Sequence, residues 1–201
     1  MSTTVEMLVD YVCPYCFLVE GAVGELRRQR DVAIDILPFE LRPDPVPTLK
    51  PEDEYLPRVW KSSVHPMARR VGLSITLPSV SPQPRTAKAF IVLQLAKERG
   101  LGAPYSRAVF QAFFQQDRNI GDDDVIISVA TSVGLEADAV REALRSTARQ
   151  QKHDADQRYG TAIGVTAVPS FRIAGQLYSG VLTAGQLIAA VDTAAEAKAP
   201  A

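Results

Sequence analysis

Cys13 and Cys16 are the only cysteines in a chain of 201 residues, and only Pro14 and Tyr15 stand between them. A pair at this spacing can open and close as a disulfide, supply half of a tetrahedral metal site, or sit as two inert thiols. Its surroundings favour thiol chemistry. Residues 5–9 (Val-Glu-Met-Leu-Val) read as a short buried strand, and Leu18, Val19, Val23 and Leu26 fall at helical spacing within residues 17–30. The motif therefore sits at a strand-to-helix turn. Pro14 suits the first helical position, where a missing N–H costs nothing. Cys13 then occupies the N-cap, its sulfur beside unpaired N–H groups and the positive end of the helix dipole. Such surroundings favour thiolate, with pKa values of roughly 3.5–7 against about 8.5 for an ordinary thiol. Cys13 is the expected nucleophile. Cys16, one helical turn inward, can attack a mixed disulfide on Cys13 while shielded from outside partners, and is the expected resolving thiol.

Other readings stand beside this one. A zinc site would need His65 and His153, whose wide separation is unlike the compact spacing of zinc fingers. A structural disulfide closing so small a loop would constrain the unfolded chain little. Two inert buried thiols are the third option. No metal or cofactor is expected.

The other elements must hold that turn in place. Residues 32–39 (Val-Ala-Ile-Asp-Ile-Leu-Pro-Phe) read as a second strand, Pro38 marking an edge or an ending. Strand, helix and strand form a right-handed βαβ unit. Residues 40–47 hold three prolines, which make a stiff connector. On it, Glu40 and Arg42 read as solvated loop charges or as substrate contacts. Residues 52–159 carry helical or loop-like patterns: two short or kinked helices over 52–71 interrupted by Pro57 and Pro66, a proline-rich loop over 72–84, and helices over 86–100, 104–116, 122–133 and 136–159. Trp60 and His65 read as packing residues or as the lining of a groove over the cysteines. Tyr105, Phe110, Phe113 and Phe114 read as bundle core. His153, inside the polar run 149–158, reads as a surface histidine. Residues 170–173 and 176–178 form a hairpin turning at Ala174-Gly175, and a last helix over 182–197 is capped by Thr183. Residues 198–201 are expected to fray. Val168-Pro169 marks either the start of a strand or a cis peptide.

Composition narrows the partners. Basic and acidic residues nearly cancel, 22 against 23 for a net charge of −1, so neither nucleic acid nor an anionic membrane is an expected partner. Apolar residues make up 46% and charged residues 22%, ordinary for a globular protein. The length fits one large domain or a core domain with an insertion, and no apolar stretch approaches a membrane span. The first six residues hold neither a basic cluster nor a long apolar segment, which sets the expectation of a cytoplasmic protein. Thiols are kept reduced there, so a Cys13–Cys16 disulfide is expected to be transient and catalytic.

Cys13-Pro14-Tyr15-Cys16 after the first strand, Gly164-Val165-Thr166-Ala167-Val168-Pro169-Ser170-Phe171 before the third, and the long helical stretch between them resemble the DsbA-type members of the thioredoxin superfamily. Phe39-Glu40-Leu41-Arg42-Pro43 further resembles the segment leaving the sheet in the cytoplasmic FrnE-like oxidoreductases. The resemblance spans nearly the whole chain. It implies an α/β, thioredoxin-like fold with a large helical insertion: residues 1–48 and 160–201 form the thioredoxin-like domain, with helices on both sides of its sheet, and residues 49–159 an inserted helical subdomain that lids the active site. It also implies a cis Val168-Pro169 packed against the cysteine pair, with Val168 holding an extended thiol substrate through its main chain. Pro14, Tyr15, Val168 and Pro169 are the expected substrate-binding residues. Exported DsbA carries a signal segment that this sequence does not show, so the role of periplasmic oxidant does not transfer. The Pro14-Tyr15 dipeptide leaves the direction of catalysis open.

Kappa-class glutathione transferases and hydroxychromene-carboxylate isomerases share this architecture and bind glutathione, usually with serine where Cys13 stands. A second thiol has a defined task only in disulfide exchange. The expected activity is therefore that of a thiol:disulfide oxidoreductase acting on protein or small-molecule thiols and disulfides, glutathione among the candidates. A glutathione-dependent enzyme and a chaperone-like binding module are the alternatives. Asp10 reads as a proton relay for Cys16 or as a solvated strand-end acid. Oligomeric state is not read from these residues.

Overall fold

The strand ahead of the cysteines, β1 (Thr3–Val9), is an inner strand of a four-stranded sheet of order β2-β1-β3-β4. The computed structural model of the protein describes residues 3–197, and the expected fraying of residues 198–201 lies outside them. β2 (Val32–Pro38) runs parallel to β1, from Thr3 opposite Val32 to Val9 opposite Pro38. Being an edge strand, it tolerates the missing N–H of Pro38. β3 (Ser170–Ile173) pairs antiparallel with β1, Leu8 facing Ser170, and β4 (Gln176–Ser179) completes the hairpin. Ala174 and Gly175 both take positive φ at that turn, 48° and 87°, the backbone that a tight two-residue hairpin turn requires.

Alternation along β1 assigns its two faces to different helices. On one face, Met7 lies near Val23 of α2 (Glu20–Gln29). The last helix, α10 (Ala184–Glu196), packs beside α2 and is joined to it by a fork from Arg30 Nε and Nη2 to Asp192, 2.6 and 2.7 Å. Thr183 and Gln186 form a reciprocal capping box at its start. On the opposite face lies α9 (Thr147–Ala162). Its Tyr159 hydroxyl donates to Glu6 at 2.8 Å. Its Gly160 sits so close to the sheet that a Cβ there would fall 2.8 Å from Phe39 Cδ2 and 3.0 Å from Leu8 Cδ2.

Between β2 and β3 the described chain is helical or loop. α3 (Tyr55–Val59) runs into α4 (His65–Val71) through a π-helical turn over Trp60–Val64. The two short or kinked helices expected there are present, joined without a break by this widened turn. Pro57 falls in the first turn of α3. Pro66 has no N–H, and just before it the His65 N–H reaches back five residues to the Trp60 carbonyl. α5 (Ala87–Glu98), α6 (Gly102–Phe114), α7 (Asp123–Ser132) and α8 (Ala137–Arg145) follow. α5 packs against α6, α7, α8 and α9, and is accordingly apolar on most of its circumference. The single helix expected over 136–159 is two, because Ser146 ends α8 and caps α9, its Oγ accepting the Arg149 N–H at 3.3 Å.

The aromatics expected in the bundle core do lie there, and they reach the cysteine turn. Phe17 stacks on Phe110 at 5.4 Å, and Tyr11 on Phe90 at 4.4 Å. Such pairs contribute about 0.5–1.5 kcal/mol each beyond their area burial. The residues flanking Cys13 and Cys16 are thus clamped by α5 and α6. No helix among the described residues is long and apolar enough to cross a membrane.

Candidate active site

The register of β3 on β1 builds the site. Because Ser170 lies opposite Leu8, the turn that leaves β1 and the segment that enters β3 share one rim of the sheet. Cys13 and Val168 meet there although 155 positions separate them. Cys13 is the N-cap of α1 (Pro14–Leu18), extended at φ −90° and ψ 110°, with Pro14 in the first turn. Its N–H donates to the Asp10 carbonyl at 3.0 Å, and its thiol to the Val168 carbonyl at 3.5 Å. The Val168–Pro169 peptide is cis.

Both thiols are free, but their environments differ. Cys13 is 5% exposed and faces a cavity, whereas Cys16 is fully buried behind it. Burial first, and then the adjacent Cys13 sulfur, push the Cys16 thiol well above the ordinary thiol range. Cys16 therefore holds its proton until a neighbour accepts it.

The cavity in front of Cys13 has a volume of about 350 Å³. Val12, Pro14 and Tyr15 form one wall, Thr166, Ala167 and Val168 a second, and Tyr55, Leu56, Val59 and Trp60 a third, with Leu41 and Leu49 between. The Tyr15 hydroxyl donates to Ser63 Oγ at 2.7 Å, which ties the cysteine turn to the π-helical turn. Arg42 and Arg85 supply positive charge at one side. Arg85 is held by Asp44 at 3.3 Å and by the Arg42 carbonyl at 2.6 Å, while Arg42 has no carboxylate partner among the described residues. Of the residues the sequence singled out, Cys13, Pro14, Tyr15 and Val168 line this space, Cys16 lies behind it, and Pro169 follows through the cis bond. Trp60 is part of the wall, and His65 packs edge-on against it at 5.3 Å.

Three expectations are corrected behind the cavity. Asp10 is not a solvated acid but is 2% exposed, Glu40 is not a solvated loop charge but is 7% exposed, and His153 is not on the surface but is 2% exposed. The reason is mutual satisfaction, since buried polar groups persist where they are hydrogen-bonded. Asp10 accepts the Leu41 N–H and the Thr86 hydroxyl, both at 2.8 Å. Glu40 Oε1 is 2.8 Å from His153 Nε2, and the Glu40 N–H donates to Gln157 at 2.7 Å. Burial pushes the Asp10 carboxyl up to about 6, against the hydrogen bonds from Leu41 and Thr86, and the Glu40 charge adds to the rise. Thr86 carries no signal in the sequence beyond its polarity, and Gln157 only its helical spacing from His153. No group of three or more His, Cys, Asp and Glu side chains able to hold a metal is gathered among the described residues.

Comparison with known proteins adds ancestry to this geometry. The family model described as a DSBA-like thioredoxin domain matches residues 4–191. The chain is 40% identical over 183 residues to the uncharacterized protein YwbO of Bacillus subtilis (strain 168), covering 90% of this chain and 91% of that one. Among solved structures, the probable DsbA oxidoreductase SCO1869 of Streptomyces coelicolor is similar with a TM-score of 0.81 at 24% identity, covering 99% of this chain and 92% of that one. A 2-hydroxychromene-2-carboxylate isomerase gives 0.76 at 15% identity, with 96% and 95% covered. The cytosolic disulfide reductase DsbM of Pseudomonas aeruginosa, solved with GSH, gives 0.67 at 15% identity, with 95% of each chain covered. At these identities the three structures speak for the fold alone, which is the DsbA-like thioredoxin fold. Since the family match takes in both the cysteine turn and the Val168-Pro169 segment, this chain belongs to the DSBA-like thioredoxin domain family.

Proposed function

We propose that the protein is a thiol:disulfide oxidoreductase in which Cys13 exchanges with substrate and Cys16 resolves. One observation carries this reading: Cys13 faces a cavity beside the Val168 carbonyl, with a second, fully buried free thiol one helical turn behind it. In the reducing direction the Cys13 thiolate attacks a substrate disulfide, forming a Cys13–substrate bond and expelling one substrate thiolate. Cys16 then passes its proton to a base and attacks Cys13 Sγ. The second substrate thiolate leaves, and a Cys13–Cys16 disulfide remains. Run backwards, the same steps oxidise a pair of substrate thiols. Asp10 is the base that fits, because burial pushes its carboxyl up to about 6 and its charge acts on the Cys16 thiol.

The apolar walls suit a small thiol, or one side chain of an extended peptide held at the Val168 main chain. DsbM supplies an analogy for a cytoplasmic setting, which we include in the proposal. The test is to equilibrate the protein in graded glutathione buffers and to count alkylated thiols by intact mass. A reversible internal disulfide is expected, near about −120 mV for an oxidant or about −270 mV for a reductant. Cys16→Ser should trap a mixed disulfide on Cys13, and Cys13→Ser should trap none.

Arg42 and Arg85 at the cavity favour a second reading, a glutathione-dependent enzyme whose arginines pair the carboxylates of the tripeptide. A Cys13–glutathione adduct that accumulates without any internal disulfide would select it over the first.

A further inference from the structure

We propose that Thr86, Glu40 and His153 form a proton relay joining Asp10, behind the thiol pair, to a second cleft that shares Glu40 and Arg85 with the thiol cavity but none of the residues of the cysteine turn. The relay presupposes the dithiol exchange proposed above, and its three members act through Asp10 as positioning residues. Three contacts join them, the two outer ones short hydrogen bonds and the middle one longer. Asp10 Oδ1 accepts from Thr86 Oγ1 at 2.8 Å, the same hydroxyl lies 3.4 Å from Glu40 Oε2, and Glu40 Oε1 lies 2.8 Å from His153 Nε2. His153 Nδ1 is buried with no partner, yet His153 and Glu40 both line an open cleft of about 690 Å³. The geometry is fixed from both sides: Phe90 stacks on the imidazole at 5.9 Å and 17°, and Gln157 accepts the Glu40 N–H.

The need for such a route follows from the cavity. Asp10 lines it, so a substrate bound to Cys13 shuts water away from Asp10 at the moment Cys16 must lose its proton. The relay gives that proton another way out. Cys16 S–H passes its proton to the Asp10 carboxylate, and the Cys16 sulfur attacks Cys13 Sγ as the substrate thiolate leaves. Asp10 then gives its proton to the Thr86 oxygen while the Thr86 hydroxyl proton moves to Glu40, since a hydroxyl both donates and accepts. The Glu40–His153 pair, 2.8 Å apart, then holds one proton more than before and releases one from the imidazole to the cleft. Reduction of the disulfide runs the same transfers backwards and resets the pair. Besides Cys16 and Glu40, which face Asp10, the charges near the outer end are Asp44, Arg85, Asp154 and Arg158 around the cleft.

The test loads Cys13 with thionitrobenzoate as a mixed disulfide and follows release of the coloured thiolate by Cys16 from pH 5 to 8. Wild type is compared with Glu40→Gln and Thr86→Val, both nearly isosteric, after urea unfolding has shown that each is folded; either variant alone decides the question. The relay predicts that the plateau rate falls by about tenfold or more in each variant, as expected when a positioned proton acceptor is lost. The double variant should be no slower than the slower single one. A network that only tunes Asp10 would behave differently. The Thr86 hydrogen bond lowers the Asp10 carboxyl and the Glu40 charge raises it, so the two variants would shift the acidic limb in opposite directions and leave the plateau within about twofold. That outcome, or an unchanged plateau in either folded variant, overturns the relay. If wild type fails to release thionitrobenzoate any faster than Cys16→Ser, the dithiol reading falls instead.

Discussion

Asp10 should make the protein less stable as the pH rises, and Asp10→Asn should remove that loss. Its carboxyl is raised from the ordinary 3.8 to about 6, mainly by burial. Between those values the folded chain holds a proton that the unfolded chain has released, so stability present below pH 4 is lost as the pH climbs through 6. A rise of about 2 units corresponds to about 3 kcal/mol. Asparagine matches the shape but puts an N–H₂ where one oxygen stood, which the Thr86 hydroxyl can accept but the Leu41 or Val12 N–H cannot, an offset of about 1–3 kcal/mol that does not vary with pH. The informative quantity is therefore the pH dependence of the difference between the proteins. Urea unfolding in the presence of a phosphine reductant at pH 4, 5, 6 and 7.5 measures it. The variant should gain about 2–2.5 kcal/mol on wild type from the lowest pH to the highest, part of the full effect being already expressed at pH 4. A difference that stays flat across the series would refute the assignment of a buried, proton-holding Asp10.

Glu20 shows the same behaviour outside the thiol site. Burial raises its carboxyl from 4.5 to about 7 against the opposing charge of Arg107, so Glu20→Gln should stabilise the protein by up to about 3 kcal/mol at pH 8 and hardly at all at pH 4, read in the same unfolding series. Gly160→Ala would drive a methyl to 2.8 Å from Phe39 and 3.0 Å from Leu8, and should lower the urea midpoint by the equivalent of about 1–3 kcal/mol. Thr183→Ala removes the capping box of α10 and should cost about 1 kcal/mol in the same assay. Trp60 is the single tryptophan and lines the thiol cavity, so attaching an apolar thiol to Cys13 should change its emission; an unaltered spectrum would place the adduct elsewhere.

The cysteine turn was legible because its signals are local. A strand, an N-cap cysteine and a proline at the first helical position are all written within Val5 to Cys16. The polar interior was not legible, because its members come from four distant segments and only the fold joins them. One clue was present. His153, Gln157 and Gly160 recur at helical spacing along α9, and all three face the Phe39-Glu40 segment: His153 and Gln157 bond Glu40, and Gly160 abuts Phe39. A search for apolar stripes passes over such a face, since two of its residues are polar and the third has no side chain. The break at Ser146 was missed for a related reason. Serine is acceptable on an exposed helix face, and only its bond to the Arg149 N–H marks it as a cap.

The same interior argues for a working site in preference to scaffolding. Asp10, Glu40 and His153 are nearly inaccessible, and a buried ionisable cluster is often no more stable than apolar residues of the same volume. The aromatic stack of Tyr11, Phe17, Phe90 and Phe110 already fills the space around the cysteine turn, so packing alone does not call for acids there. Holding Asp10 proton-bound up to about pH 6 destabilises the folded state at neutral pH. In the exchange proposed above the cluster would supply a proton acceptor for a thiol whose pKa burial raises, the requirement a resolving cysteine imposes and a purely structural pair of thiols does not.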